Sequence, residues 1–189
     1  MSVERQRRAQ LVEATIREIG TVGSLDVTVG QIAKRAGVSS ALAFHYFGGK
    51  DSLLLAAMQH ILTIYGAEVR GALGVSTTPR ERLTGVIRAS FSPTNFRKDV
   101  IAAWLNFYVL AQRSERALRL LTIYHRRLQS NLVHDLRPLI GPRAPEVAER
   151  MGGLIDGLYL RSAITPKRVS GDAAAAHVLA ALDRELDGA

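Results

Sequence analysis

The 78 residues that precede Pro79 contain no proline. Proline lacks the backbone N–H that a helix interior needs and clashes with the preceding turn, so this stretch can be helical throughout, broken only at glycines. The six prolines (Pro79, Pro93, Pro138, Pro142, Pro145, Pro166) all lie in the remainder of the 189-residue chain, where they mark expected helix starts and stops. Between these marks apolar residues recur at three- and four-residue spacing, with no two-residue alternation of the kind a half-buried strand shows. The expected fold class is therefore all-α, with about nine helices, no internal repeat and no low-complexity tract.

The first helix is expected over residues 4–20, with Leu11, Val12, Thr15, Ile16 and Ile19 on one side and Arg5, Arg8, Glu13 and Arg17 polar; Gly20 and Gly23 end it. Thr28 caps a short second helix to Arg35, apolar at Val29, Ile32, Ala33 and Ala36. Gly37-Val38 is a tight turn, Ser39 caps a third helix over 40–47, and Gly48-Gly49 breaks it. A long fourth helix runs from about Lys50 to Gly71, and a fifth from Pro79 to about Ser92. Pro93 opens a short piece, followed by helices over 99–112 and from Glu115 to about Leu136. Pro138, Pro142 and Pro145 enclose a loop, Pro145 starts a helix that stops before Pro166, and Ser170 or Asp172 caps the last, to about Asp187.

Composition removes several functions. With no cysteine there is no disulfide framework, no Cys-ligated zinc and no thiol nucleophile. No HExxH, GxSxG, phosphate-binding glycine loop or Glu-x-x-His pair occurs, and the five histidines (His45, His60, His125, His134, His177) lack ligand spacing. No acid, base and nucleophile can be assembled, so the chain is expected not to be an enzyme and to hold no metal or cofactor. No uninterrupted apolar run exceeds six residues, as at Leu53–Met58, where a membrane span needs about 20. The charged start (Glu4, Arg5, Arg7, Arg8) is followed by no apolar signal core, so a soluble cytoplasmic protein is expected. A membrane-surface role is not expected either, because Arg116, Arg119, Arg126 and Arg127 are read as spread around their helix. The net charge of +8 suggests an anionic partner. It does not locate one, since residues 1–50 hold only seven Lys+Arg against four Asp+Glu, of 25 and 17 in the whole chain.

The segment Thr28–Lys50, TVGQIAKRAGVSSALAFHYFGGK, spells helix, glycine turn, helix. Small Ala33 permits a close helix approach, Gly37 permits the turn, and Val38 plugs the gap. That is the helix-turn-helix pattern, whose second helix enters the DNA major groove. Ile32-Ala33-x-x-Ala36-Gly37-Val38-Ser39, then Phe44-His45-Tyr46-Phe47, then Lys50-Asp51-x-Leu53-Leu54 together resemble the TetR family of transcriptional repressors. The resemblance implies a helical dimer with a DNA-binding head, residues 1–49, and a ligand-binding and dimerisation body, residues 50–189. It implies base-facing positions at Ser40, Ala41, Leu42, Phe44 and His45, and phosphate contacts from Thr28, Ser39, Tyr46 and Lys50. The recognition helix has no Arg, Asn or Gln, so bidentate base readout is scarce and DNA shape carries more of the specificity.

Further strings extend the resemblance: Phe91-Ser92-Pro93 with Ala103-Trp104-Leu105-x-Phe107, His125-Arg126-Arg127-Leu128-x-Ser130-Asn131-Leu132, and Leu154-Ile155-Asp156-Gly157-Leu158-x-Leu160-Arg161. They are similar to the choline-responsive repressors of glycine betaine synthesis genes (BetI-like). That subgroup implies repression of choline uptake and glycine betaine synthesis genes at palindromic operator DNA, released by choline. A quaternary ammonium has no N–H to donate, so it is recognised by aromatic faces with a carboxylate nearby. Phe91, Trp104, Phe107, Tyr108, Tyr124 and Tyr159 are the candidate rings and Asp156, or Asp99, the candidate charge, although aromatics at this spacing also suit a core. The alternative for Asp156 is a pair with Arg126, Arg127 or Arg161. Met151, Leu154, Ile155 and Leu158 on one helix and Val178, Leu179, Leu182 and Leu186 on the next are the expected dimer stripes, with Gly153 and Gly157 permitting close approach. The alternatives are a repressor of the same family responding to a lipid, drug or aldehyde and, more remotely, a helical enzyme.

Overall fold

A computed structural model describes residues 3–165 and 169–188; the helix stop expected at Pro166 lies outside them. The described residues form nine α-helices and one 3-10 turn, with no strand. The helices are α1 (Val3–Val22), α2 (Val29–Ala36), α3 (Ser40–Phe47), α4 (Lys50–Val75), α5 (Pro79–Ser90), α6 (Lys98–Ala111), α7 (Glu115–Ile140), α8 (Ala144–Ile164) and α9 (Gly171–Asp187).

Three boundaries depart from the sequence expectation. Gly20 does not end α1, which continues to Val22 and stops at Gly23, where φ is +75°. Gly20 is needed for a different reason: a Cβ there would lie 2.7 Å from the Asp99 Cα on α6. α4 continues past Gly71, to Val75. Pro138 lies inside the last turn of α7, where it removes a single intrahelical bond. The loop expected among Pro138, Pro142 and Pro145 is thus only the 3-10 turn Gly141–Arg143, and Pro145 sits in the first turn of α8. α5 starts as Pro79 predicts. The Thr78 hydroxyl accepts from the Glu81 N–H (3.2 Å), and the Glu81 carboxylate accepts from the N–H groups of Thr77 (2.9 Å) and Thr78 (3.0 Å).

The chain divides into two compact units that do not follow chain order. The first comprises the residues up to Leu62 together with Lys98–Leu120. In it α1 packs against α2 and α6, and α2 against α3, over a core that includes Leu11, Ile16, Ile32, Leu53, Met58 and Phe107. The second comprises Thr63–Arg97 and the chain from Leu121 onward. There α9 packs against α5 and α8 over Leu83, Ile87, Leu132, Ile155, Val178 and Leu182. Arg143 of the 3-10 turn and Arg150 of α8 both pair with Glu185 on α9, and the hydrogen bonds from Arg150 hold that carboxyl below its ordinary range. Arg82 of α5 reaches Asp135 of α7 at 2.8 Å, beneath the surface.

Two helices bear on a membrane reading. α4 is long and apolar enough, by length and composition, to cross a membrane. Its Leu53, Leu54, Ala57, Met58 and Ile61 are nevertheless buried within the protein, which is also how a core helix reads. On α7, Arg116, Arg119, Arg126 and Arg127 are all exposed. At about 100° per residue they gather within roughly 100° of one another, opposite buried Ala117, Leu121, Tyr124, Leu128 and Leu132. They are not spread around the helix as the sequence reading had it; α7 has a basic outer face.

Candidate nucleic-acid interface and aromatic cluster

The helix-turn-helix is fixed by its caps. Thr28 closes α2 with a full capping box: its hydroxyl accepts from the Gln31 N–H (3.2 Å) and the Gln31 side chain accepts from the Thr28 N–H (2.7 Å). Gly37 ends α2 in the left-handed conformation (φ +67°), which a side chain would strain, and Val38 N–H returns to the Ala33 carbonyl. Ser39 caps α3 by accepting from the Leu42 N–H, and Gly48 ends α3 at φ +73°. Ala33 and Ala43, both fully buried, keep the α2–α3 pair close.

These constraints expose one face of α3. Ser40, Ala41, Phe44 and His45 are open to solvent, with Phe44 51% exposed although it is aromatic. Leu42 and Tyr46 stand half-buried at the border of that face, and Lys50 is half-buried at the start of α4. Thr28 and Ser39 are exposed too. A Cβ on Gly30 would sit 3.8 Å from both Thr28 Oγ1 and Ser40 Oγ, so the two helix N-termini converge. Free N–H groups at two such termini suit phosphate oxygens. Sequence reasoning missed Arg8, whose guanidinium donates to the Tyr46 carbonyl (2.7 Å) and lies over the Phe47 ring. Nothing in its spacing on α1 signals a tie to a residue 38 positions away.

The second unit gathers aromatic rings. Phe91, Phe96 and Tyr159 form a group with centroids 5.1–5.9 Å apart, in which Phe96 meets the other two rings edge-to-face and Phe91 and Tyr159 lie tilted at 35°. Tyr65 and Tyr124 meet edge-on at 5.4 Å. Ser90 joins the two groups: its hydroxyl lies 3.4 Å from the Tyr65 hydroxyl, and its carbonyl accepts from the Tyr159 hydroxyl. Burial pushes the Tyr65 hydroxyl up to about 12, helped by the charge of Asp156, so it stays protonated. Two carboxylates border the rings. Asp156 lies 3.6 Å from His125. Glu68 accepts from the Asn95 amide at 2.8 Å, beside Phe96.

The expected aromatic set is therefore divided. Phe91, Tyr124, Asp156 and Tyr159 belong to the second unit; Trp104, Phe107, Tyr108 and Asp99 belong to the first. Trp104 and Tyr108 do pair, with centroids 6.1 Å apart, whereas Phe107 is fully buried in the core. Asp99 accepts from its neighbour's N–H at the start of α6. Tyr65, Glu68 and Phe96 were missed. Tyr65 and Glu68 are one turn apart on a helix of which only the first residues were read for function, and Phe96 lies outside the regular helices.

The expected dimer stripes also divide. Met151, Ile155, Val178 and Leu182 are buried within the chain's own core, because α8 and α9 each turn an apolar side to their own unit. Leu154 is 41% exposed, and Leu158, Leu179 and Leu186 are half-buried. A Cβ on Gly153 or Gly157 would meet nothing within 4 Å, and Leu160 and Ile164 of the same helix are exposed as well. No group of three or more His, Asp or Glu able to hold a metal occurs among the described residues.

Comparison with known proteins agrees with this architecture. Residues 11–57 match the model of bacterial regulatory proteins of the tetR family, and residues 79–187 match that of the BetI-type transcriptional repressor C-terminal region. The chain is 54% identical over 165 residues to the HTH-type transcriptional regulator BetI of Brucella anthropi, spanning 87% of this chain and 85% of that protein. It is 45% identical over 177 residues to the regulator of the same name from Rhizobium meliloti, spanning 93% and 87%. A solved transcriptional regulator from Pseudomonas aeruginosa PAO1 superposes with a TM-score of 0.83 at 27% identity, over 100% of this chain and 94% of that one. Another, from Saccharomonospora viridis in complex with choline, superposes at 0.84 with 21% identity, over 96% and 98%, and shows the shared fold. The relatives are named transcriptional regulators and not enzymes, and the chain belongs to the TetR family of bacterial regulators, among its BetI-type transcriptional repressors.

Proposed function

We propose that the protein is a dimeric, cytoplasmic repressor that reads a palindromic operator with α3 and releases it on binding choline or a related quaternary ammonium. Residues 1–49 serve as the DNA head and 50–189 as the ligand and dimer body. The observation that carries the ligand is the juxtaposition, in one unit, of Tyr65, Phe91, Phe96, Tyr124 and Tyr159 with the carboxylates of Glu68 and Asp156. Ring faces attract a cation that has no N–H, and carboxylates balance its charge. A fatty acid or an aldehyde gains nothing from two carboxylates. The naming of relatives as BetI regulators and the choline complex of the Saccharomonospora viridis protein favour the same ligand, and the genes repressed in this reading are those of choline uptake and glycine betaine synthesis.

In this reading Ser40, Ala41, Phe44 and His45 meet base edges, with Leu42 at their margin, while Thr28, Ser39, Tyr46 and Lys50 meet phosphates. Two copies of α3 spaced about 34–36 Å apart fit successive major grooves. Choline favours a conformation with a different spacing, so the population moves off the operator. Leu154 and Leu158, with the open Gly153 and Gly157, form the centre of the partner-facing side of α8. Fluorescence anisotropy on a labelled duplex from upstream of the choline genes tests the reading. Operator affinity is expected to fall as choline is added, and ethanolamine and palmitate to have no effect. Operator affinity unchanged at saturating choline sinks the choline assignment. The Trp104–Tyr108 pair is the competing aromatic surface: loss of the choline response in Trp104→Ala, with DNA binding intact, would move the ligand there.

A further inference from the structure

α3 is weakly anchored for a helix that must hold side chains in register against base edges. It has eight residues, and Ala43 is its one fully buried side chain. Leu42, Tyr46 and Phe47 are only half-buried. A two-turn helix held mainly by a methyl group and its caps can tilt at small energetic cost. Its C-terminal end is where Arg8 of α1 reaches it. The Arg8 Nη1 donates to the Tyr46 carbonyl at 2.7 Å, while the guanidinium carbon lies 4.6 Å from the Phe47 ring centroid and 5.9 Å from that of Tyr46.

That carbonyl is one of the last four of α3, none of which has a donor within the helix. Gly48 N–H takes the Phe44 carbonyl, and Arg8 takes Tyr46's. A cation at a helix C-terminus also meets the negative end of the helix dipole. Stacking over Phe47 adds a cation–π contact that depends on ring orientation. Carbonyl, dipole and ring each fix a different degree of freedom of the helix end, and one side chain engages all three.

We infer that Arg8 is a positioning residue for the recognition helix. It sets the tilt of α3, and with it the placement of Ser40, Ala41, Phe44 and His45, and acts on sequence discrimination without contributing a phosphate contact of its own. The inference rests on the reading of α3 as the DNA-contacting helix.

The two roles open to an arginine in a DNA head leave different signatures. A phosphate contact is lost equally on every sequence and lowers the salt slope by about 0.9 for each contact removed. A lost positioning contact weakens the selected sequence and spares the scrambled one. The test measures binding of the full-length protein, across a potassium chloride series, to a duplex selected by the wild-type protein from random DNA and to a scrambled duplex of the same composition. For Arg8→Ala, affinity for the selected duplex is expected to fall about tenfold or more, with scrambled-duplex affinity and its salt slope unchanged. Arg8→Lys keeps the charge and a donor but not the planar stack, and is expected to recover part of the loss. Phe47→Leu removes the ring and leaves Arg8, so it still reports if Arg8→Ala unfolds the head; a selective loss of severalfold is expected. Equal losses on both duplexes with a reduced salt slope, or wild-type discrimination in Phe47→Leu, would overturn the inference. Ala41→Asp checks the reading beneath it: an acid on the exposed face of α3 should abolish binding to both duplexes. If Ala41→Asp binds the selected duplex as the wild type does, α3 is not the DNA surface, whatever Arg8 does.

Discussion

Glu81 carries a pH dependence that can be followed in isolation. Three donors, first the Thr77 N–H, then the Thr77 hydroxyl and the Thr78 N–H, hold its carboxyl at about 2 against an ordinary 4.5. A depressed folded value means that its stabilisation is complete above about pH 4.5 and is lost as the pH falls toward about 2. The melting-temperature difference between wild type and Glu81→Gln should therefore be constant from pH 7 to 5 and vanish near pH 2. The contribution is modest because the carboxylate is fully solvated. Thr78→Ala removes the other half of the box and should cost about 1 kcal/mol, seen as a melting point lower by roughly 2–4 °C. In the sequence this helix start was read from Pro79 alone; the hydroxyl of Thr78 three residues before Glu81 is the capping-box signal that went unread. Asp156 and Glu68 are the opposite case. One was visible as a charge in an apolar helix, but its place beside His125 and Tyr65 was not; the other was invisible. Asp156→Asn and Glu68→Gln should each weaken choline by about tenfold, some 1.4 kcal/mol, with glycine betaine, which carries its own carboxylate, less affected. Calorimetric titration decides, and unchanged choline affinity in both variants would leave the rings as core alone.

Among the helices, those with local signals were legible almost to the residue. α2 and α3 are bounded by Thr28, Gly37, Ser39 and Gly48, each of which acts on the backbone within four positions. Gly37→Ala, at φ +67°, should cost about 1–2 kcal/mol of left-handed strain in urea unfolding and weaken operator binding by misplacing α3. Gly20 looks like the same signal and is not. Its φ is not positive, and the helix passes through it because α6 crosses there against Asp99. Gly20→Ala should therefore destabilise by about 1–3 kcal/mol through overpacking, where an uncrowded glycine inside a helix would gain from the same change. Pro138 failed as a stop for a related reason. One forgone hydrogen bond in a last turn is small beside the burial of Leu136 and Ile140 on its flanks.

Assembly is the level at which single-chain burial misleads. Half of the residues expected at a dimer seam fill the chain's own core, and the remainder is exposed Leu154 with half-buried Leu158, Leu179 and Leu186, the surface on which the proposed dimer depends. Leu154→Glu with Leu158→Glu should leave the fold intact, give a monomer in sedimentation, and lower operator affinity roughly a hundredfold, since each monomer then holds one half-site. A double variant that stays dimeric would move the seam elsewhere. The sequence by itself determined the helix count, the helix-turn-helix and the absence of catalytic groupings, because caps, turns and periodicity act over a few residues. The tertiary structure alone decided that α6 belongs with the head's helices in one unit, that Arg8 clamps the end of α3, and that Tyr65, Glu68 and Phe96 join the rings around Tyr159. Those depend on which helix faces meet, and a three- or four-residue period specifies that a face is buried without specifying against what.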